Sequence, residues 1–242
     1  MIQETITHIC RACKSIHIVK NGTNRCGNAQ YHCKDCGAYR VLKPKQLSSK
    51  TEQQQVLRAC LERCSLRGIT RIFDMARSTV ARWFKAYAKN LPPLQKTLLP
   101  ATPEDVLELD EIWSFVQKKE QRRWVWTAMC RRTRQIVACV VGDRSQTTCL
   151  YLWQAIPEAY KHCRTFSDFW SAYRSVFPTA THRCVGKETG ETAHIERWNN
   201  TLRQRLGRFV RQTLSFSKTD KSHQLIIQAF IVQYNLNLSL TT

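Results

Sequence analysis

Residues 106–116 read VLELDEIWSFV. The run is apolar, β-branched and aromatic, with single acids set into it and no Gly or Pro to break it. It predicts a strand held inside a sheet. Side chains alternate faces along a strand, so Glu108 and Asp110 share one face and Glu111 points to the other. A carboxylate within an apolar strand is costly to bury unless it is paired or bound to metal. Asp110 is therefore the first candidate for chemistry, with Glu108 and Glu111 as competing acids.

Working outward, residues 123–130 and 135–142 predict two further strands joined by a turn at 131–134, which makes an antiparallel meander. Residues 146–162 predict a helix with Leu150, Trp153, Ile156 and Tyr160 turned inward. Residues 164–170, RTFSDFW, read as a short strand ending at Asp168. A helix at 173–177, a strand at 182–185 and a final apolar helix at 221–238 follow. Before that last helix, residues 193–211 read AHIERWNNTLRQRLGRFVR, which predicts one helix. Ile195, Trp198, Leu202, Leu206 and Phe209 form its apolar stripe, while Glu196, Asn199, Asn200 and Arg203 fall on another face. The order β-β-β-α-β-α-β-α predicts a mixed α/β sheet with helices on its faces.

Asp110, Asp168 and Glu196 are isolated carboxylates separated by 57 and 27 intervening residues. Phosphoryl transfer on DNA is served by two hard cations about 4 Å apart, held by oxygen ligands. Two Asp from neighbouring strands and one Glu from a helix laid across them would supply such ligands. Arg203, two helical turns beyond Glu196, would neutralise a phosphate there. Asp143 joins Glu108 and Glu111 among the competing acids. His194 is a candidate for contact with the scissile phosphate, against a plain surface role. The tryptophans Trp113, Trp124, Trp126, Trp153 and Trp198 read as core.

Charge points to the same substrate. The 242-residue chain carries 38 Lys+Arg against 18 Asp+Glu, a net charge of +20. Its isoelectric point is ≈ 9.8 and its mean hydropathy −0.42. Residues 1–100 hold 18 basic and 5 acidic residues, residues 101–196 hold 13 and 12, and residues 197–221 hold 7 and 1. An excess confined to two regions predicts two nucleic-acid contacts. No apolar run long enough to span a membrane occurs, and the polar start MIQETITHIC predicts no export signal. Twelve Cys, mostly single within apolar runs, fit buried thiols in a reducing cytoplasm.

Four of those Cys are paired by spacing. Cys10/Cys13 and Cys33/Cys36 form two C-x-x-C motifs with 19 residues between them. Each tight turn offers two thiolates, and four satisfy tetrahedral zinc. Such a segment has too few large apolar residues for a core, so metal would supply its folding energy. Cys26, His8 and His32 are possible substitutes. Short hairpins at 15–19 and 30–32 suggest a zinc ribbon over residues 1–43.

Residues 43–50 form a basic connector. Helices are expected at 51–64, at 66–73 and at 79–88, the last capped by Ser78. The turn between the last two lacks the usual Gly. Within residues 47–90 these make an all-α helix-turn-helix that presents Arg77, Ser78, Thr79, Arg82 and Lys85 to double-stranded DNA. Four of the seven Pro lie in residues 91–103, which read as a linker before a third part at 104–242.

LDEIWSFV, FSDFWSAY and GKETGETAHIERWNNTLRQRLGRFVRQTLSFSK resemble the DDE transposases of the insertion sequence one family. The paired Cys and the helix-turn-helix resemble that family's N-terminal DNA-binding part. The resemblance implies a ribonuclease-H-like catalytic domain with Asp110, Asp168 and Glu196 as catalytic, Mg²⁺- or Mn²⁺-binding residues, and it supports Arg203 beside them. It implies terminal inverted repeats and target DNA as partners, and DNA cleavage followed by strand transfer. Two ends must be held together, so a homodimer or higher oligomer on DNA is expected. The expected setting is cytoplasmic, at the bacterial nucleoid. One departure is Phe169, where the family pattern usually has Gly. The rival reading is a non-enzymatic, zinc-dependent DNA-binding regulator with a degenerate catalytic part.

Overall fold

The computed structural model describes residues 2, 7–25, 27–41, 48–210 and 212–240. Cys26 and most of the connector at 43–50 lie outside them, as do the expected boundaries at 43 and 47. The chain forms two compact units, Met1–Ser49 and Lys50–Thr242.

The first unit is a three-stranded antiparallel sheet of β1 (Ile18–Thr23), β2 (Ala29–Cys33) and β3 (Tyr39–Val41) in that order. Its core is small: Tyr31, Cys10 and Cys33, with Ile18 and Ala38 against them.

The second unit is built on a five-stranded mixed sheet. Its strands are β4 (Val106–Phe115), β5 (Arg122–Cys130), β6 (Ile136–Gly142), β7 (Arg164–Ser167) and β8 (His182–Cys184). Their spatial order is β6-β5-β4-β7-β8. The first three pair antiparallel, while β4–β7 and β7–β8 are parallel. Around them run α1 (Lys50–Cys60), α2 (Leu66–Phe73), α3 (Arg77–Lys89), α4 (Gln146–Ala155), α5 (Ser171–Val176), α6 (Ala193–Arg205) and α7 (Asp220–Ser239).

The alternation of β4 divides the core in two. Leu107 and Leu109 face α4 and α5, in a cluster with Trp126, Leu152, Ile156, Tyr160 and Tyr173. Ile112 faces the opposite way, in a cluster with Trp198 and Leu202 of α6 and Ile227 and Phe230 of α7. Val56, Ile69, Val80 and Phe84 from α1–α3 belong to that second cluster. The Tyr87 hydroxyl also donates to Gln233 Oε1 of α7 at 2.6 Å. The Pro-rich residues 91–103, expected to be a linker, are bonded into this body. Gln135 Nε2 donates to the Thr97 carbonyl (2.8 Å), and Leu99 N–H donates to Gln135 Oε1 (2.8 Å).

Several expected elements are shorter than the pattern suggested. The helix from 146 stops at Ala155, because Pro157 has no N–H and its ring clashes with the preceding turn. A separate 3₁₀ turn at Glu158–Tyr160 follows, and Leu150 lies exposed while Cys149 and Leu152 are buried. The helix from 193 ends at Arg205, where Leu206 turns extended and Gly207–Phe209 form a 3₁₀ turn. Leu206 and Phe209 remain buried even so. Ser78 does not cap α3. That helix begins at Arg77 after Ala76, and its first turn has no side-chain cap. The expected Gly is replaced by Asp74 in the left-handed region (φ 47°, ψ 43°), which a short polar side chain tolerates. The chain is thereby redirected early enough to start α3 before Ser78.

Candidate functional site

In the first unit, Cys10, Cys13, Cys33 and Cys36 bring their sulfurs within 4.8 Å of one another. Two knuckles achieve this in the same way. Lys14 N–H donates to the Cys10 carbonyl (2.8 Å), and Gly37 N–H donates to the Cys33 carbonyl (3.0 Å). Both Lys14 (φ 65°) and Gly37 (φ 69°) are left-handed. Cys10 Sγ lies 3.7 Å from Cys36 Sγ, and Cys13 Sγ lies 3.5 Å from Cys33 Sγ. Tetrahedral zinc with Zn–S near 2.3 Å would set sulfurs about 3.8 Å apart, so the donor set fits zinc. The Cys13 N–H draws the Cys10 thiol down to about 6, while Cys13, despite the Ser15 N–H, is pushed up to about 12 by the Cys36, Cys33 and Cys10 sulfurs, a crowding of thiols that a bound cation would relieve. His32 stacks on Tyr39 instead of joining the cluster (ring centroids 4.3 Å apart).

In the second unit, Asp110 lies on the central strand β4. Asp168 follows directly on β7, the parallel neighbour of β4, and Glu196 lies in the first turn of α6. Burial, then the nearby Glu111 charge, pushes the Asp110 carboxyl up to about 7; the Asp168 and Glu196 charges add to the rise. Asp110 is thus desolvated and within reach of the charges of both other carboxylates. Asp110 Oδ1 accepts from Glu111 N–H (2.8 Å) and Oδ2 from Asn199 Nδ2 (2.7 Å). Asp168 Oδ1 accepts from Trp170 N–H (3.0 Å), and Glu196 Oε1 accepts from the Thr192 hydroxyl (3.0 Å).

Among the described residues the cysteines alone form a group of three or more with all ligand atoms within 4.8 Å, so the carboxylates stand more widely than that. Asn199, only 5% exposed, leaves its Oδ1 buried without a hydrogen-bond donor. An orphaned amide oxygen on the residue that holds Asp110, together with the carboxylates of Asp110, Asp168 and Glu196, is an all-oxygen donor set, which fits hard divalent cations.

The competing acids have other partners. Glu108, fully buried, is held by Arg131 and by the start of α6. Glu111 takes Arg144 on Oε1 (2.6 Å) and the Tyr173 hydroxyl on Oε2 (2.7 Å). Arg144 in turn lies over the rings of Trp124 and Trp170, 4.5 and 4.0 Å from their centroids. Asp143 Oδ1 accepts from the Thr148 hydroxyl (2.6 Å) and bonds Ser145 at the start of α4. As the alternation implied, Glu108 and Asp110 face α6, and Glu111 faces the opposite side.

One expectation for α6 changes. Asn199 is buried against Asp110, whereas Asn200 is exposed, so they do not share one solvated face. Arg203 Nη1 donates to Asn200 Oδ1 (3.4 Å) rather than to any carboxylate. His194 neither stands free nor faces solvent alone, because its Nδ1 lies 2.6 Å from Glu108 Oε1. Phe169 keeps an ordinary negative φ and is 62% exposed, so the turn after Asp168 needs no Gly. Trp126 and Trp198 are buried, while Trp113, Trp124 and Trp153 are half-buried. On α3, Arg77, Ser78, Arg82 and Lys85 are exposed and Thr79 is half-buried. Sequence reasoning missed Arg131 and Tyr173 as supports, since each acts across a long sequence separation, and Thr192, whose hydroxyl reaches Glu196 four residues on.

A family model described as IS1 transposase matches residues 106–236, so the chain belongs to the IS1 transposase family. The matched span runs from β4 into α7 and includes all three carboxylates. The chain is similar to the insertion element iso-IS1n protein InsB of Shigella dysenteriae, 36% identical over 129 residues, which cover 53% of this chain and 95% of that protein. It is similar to the insertion element IS1 protein InsB of Shigella flexneri, 35% identical over 51% of this chain and 92% of that one. The insertion element IS1 4 protein InsB of Escherichia coli (strain K12) is 32% identical over 59% of this chain and 85% of its own. Among the described residues no helix is long and apolar enough to cross a membrane.

Proposed function

We propose that this transposase is a DDE enzyme that binds the terminal inverted repeats of its own insertion sequence, cuts there and joins the freed 3′ ends to target DNA. The observation that carries the reading is that Asp110, desolvated on β4, lies within reach of the Asp168 and Glu196 charges, which add to a rise to about 7 caused mainly by burial and Glu111. The strand order β6-β5-β4-β7-β8, three antiparallel strands and two parallel ones, supports a ribonuclease-H-like reading of the catalytic part.

Asp110, Asp168 and Glu196 would hold Mg²⁺ or Mn²⁺, and the bound ions supply nucleophile activation and charge stabilisation at the phosphodiester. Asn199 orients the Asp110 carboxylate. Arg203 is assigned to a DNA phosphate near the carboxylates. Cleavage and joining are both in-line attacks on phosphorus, so one set of residues serves both.

The division of labour follows the sequence: a zinc ribbon at 1–43, a helix-turn-helix at 47–90, a connection at 91–103 and the catalytic part at 104–242. The exposed α3 residues Arg77, Ser78, Arg82 and Lys85, with the half-buried Thr79, contact double-stranded DNA. A homodimer or larger oligomer holds two ends, at the nucleoid of a bacterial cytoplasm.

Strand transfer of labelled end DNA in Mg²⁺ tests this, using the DNA that flanks the gene. Wild type should yield joined product, and Asp110→Asn, Asp168→Asn and Glu196→Gln none. Equal inertness of all four would favour a DNA-binding regulator, and cleavage without joining a hydrolytic nuclease.

A further inference from the structure

We propose that Glu108 is the positioning residue for Glu196, resting on the reading of Glu196 as a metal-holding carboxylate. Glu108 is fully buried, and three of its four bonds run to the first turn of α6. Its Oε2 accepts the backbone N–H of His194 (2.9 Å) and of Ile195 (3.0 Å). Its Oε1 meets His194 Nδ1 (2.6 Å) and Arg131 Nε (2.8 Å). Arg131 Nη2 then reaches the Glu191 carbonyl (2.6 Å) and carboxylate (2.7 Å). The segment leading into the helix is tied to the same buried charge.

A helix ordinarily caps its own first N–H groups with the side chain of the residue before it. Thr192 holds that position and makes no cap bond. Its hydroxyl donates to Glu196 Oε1 instead. The capping duty has passed to a strand residue 84 positions upstream, and the local residue is free to orient Glu196. A buried anion at this end of a helix also meets the positive end of its dipole.

The second tie is Asn199 to Asp110, at 2.7 Å. Glu108 and Asp110 are two residues apart on one face of β4, and their partners, Ile195 and Asn199, are one helical turn apart. Glu196 lies between them. A helix pinned at one point can pivot, and one pinned on both sides of Glu196 presents that carboxylate at a fixed place. Glu108 never touches DNA in this account; it acts through the backbone of α6.

The test compares wild type, Glu108→Ala and Glu108→Gln in the full-length protein. Three quantities are read: amide hydrogen exchange in the first turn of α6, Mn²⁺ binding measured with the ion alone, and the kcat and KM of strand transfer. Supporting partners of metal ligands typically contribute about 10–100-fold to affinity or activity. Glu108→Ala should expose the His194 and Ile195 amides to exchange, weaken Mn²⁺ binding by about 10-fold and lower kcat by about 10–100-fold, with KM for end DNA within about twofold. Glu108→Gln keeps an oxygen before the two amides and should recover most of the exchange protection and part of the Mn²⁺ affinity. A folded Glu108→Ala protein with unchanged exchange and unchanged Mn²⁺ affinity overturns the proposal. If Glu108→Ala does not fold, Glu108→Gln decides: weakened Mn²⁺ binding supports the proposal, and wild-type binding overturns it. If wild type binds Mn²⁺ but joins no DNA, the transposition reading fails, while the exchange and Mn²⁺ results still judge Glu108.

Discussion

Asp110→Asn should stabilise the metal-free protein while ending its chemistry. Burial, then the Glu111 charge, raises the Asp110 carboxyl from an ordinary 3.8 to about 7. In the unfolded chain it titrates near its ordinary value, so between those pH values the folded state holds the extra proton. Stability therefore falls as pH rises from about 4 to about 7, and the full penalty remains above that. At about 1.4 kcal/mol per pH unit the span corresponds to about 4 kcal/mol. The side chain keeps some contact with water, which brings the expected figure to about 2–3 kcal/mol. The asparagine isostere removes the charge and can still accept from the Glu111 amide. In a body of this size each kcal/mol moves Tm by about 2–4 °C, so Asp110→Asn should melt about 5–10 °C higher at pH 8 in magnesium-free buffer. At pH 4 the two proteins should melt together. Adding Mn²⁺ should stabilise wild type and narrow the gap, because an ion that binds only the folded state favours it. Equal melting at pH 8, or the same gain at pH 4 as at pH 8, would refute the claim that Asp110 is a strained carboxylate held ready for a cation.

Burial holds His182 and His223 down to about 4, so each is neutral in the fold and charged in the unfolded chain between pH 6.5 and 4. In the Asp110→Asn background, where the opposing titration is absent, urea denaturation should show stability lost by a few kcal/mol as pH falls through that window; a flat profile would contradict it. Metal analysis should find about one zinc per chain. Cys36→Ser should lose it, together with the exchange protection of β1–β3 and no other region, and a zinc-free chain with those strands still protected would sink the assignment. Arg82→Ala and Lys85→Ala should each weaken end-DNA binding and reduce the slope of log affinity against log salt by about one; unchanged slopes would remove α3 from the interface. Leu202→Ala, in the buried stripe of α6, should cost about 2–5 kcal/mol in chemical denaturation. A cost under about 1 kcal/mol would mean that α6 is not anchored through that stripe.

Much of the fold is legible because β4 alternates so strictly. Its odd acid and even acids fall on opposite faces, as the two-residue period requires, and the strand lengths follow from apolar runs that end at charged turns. What sequence could not supply was the fate of each acid. Glu108, Asp110 and Glu111 differ by one or two positions and by no local feature. Their roles are decided by Arg131, Asn199, Arg144 and Tyr173, which arrive from distant segments. Helix ends were misread where one residue overrode the periodicity: Pro157 cuts α4 short, and Gly207 follows the break in α6. The turn before α3 looked deficient without glycine because the left-handed tolerance of Asp74 is a backbone property that composition does not reveal.

The central pairing of β4 with β7 has an implication for synthesis. The strand bearing the first carboxylate emerges from the ribosome long before its parallel neighbour, and the helix that completes the trio comes later still. No prefix of the chain that ends short of α6 contains a finished centre. On the proposed DDE reading, an interrupted or prematurely released product would lack the cutting centre while already carrying the basic excess of residues 1–100.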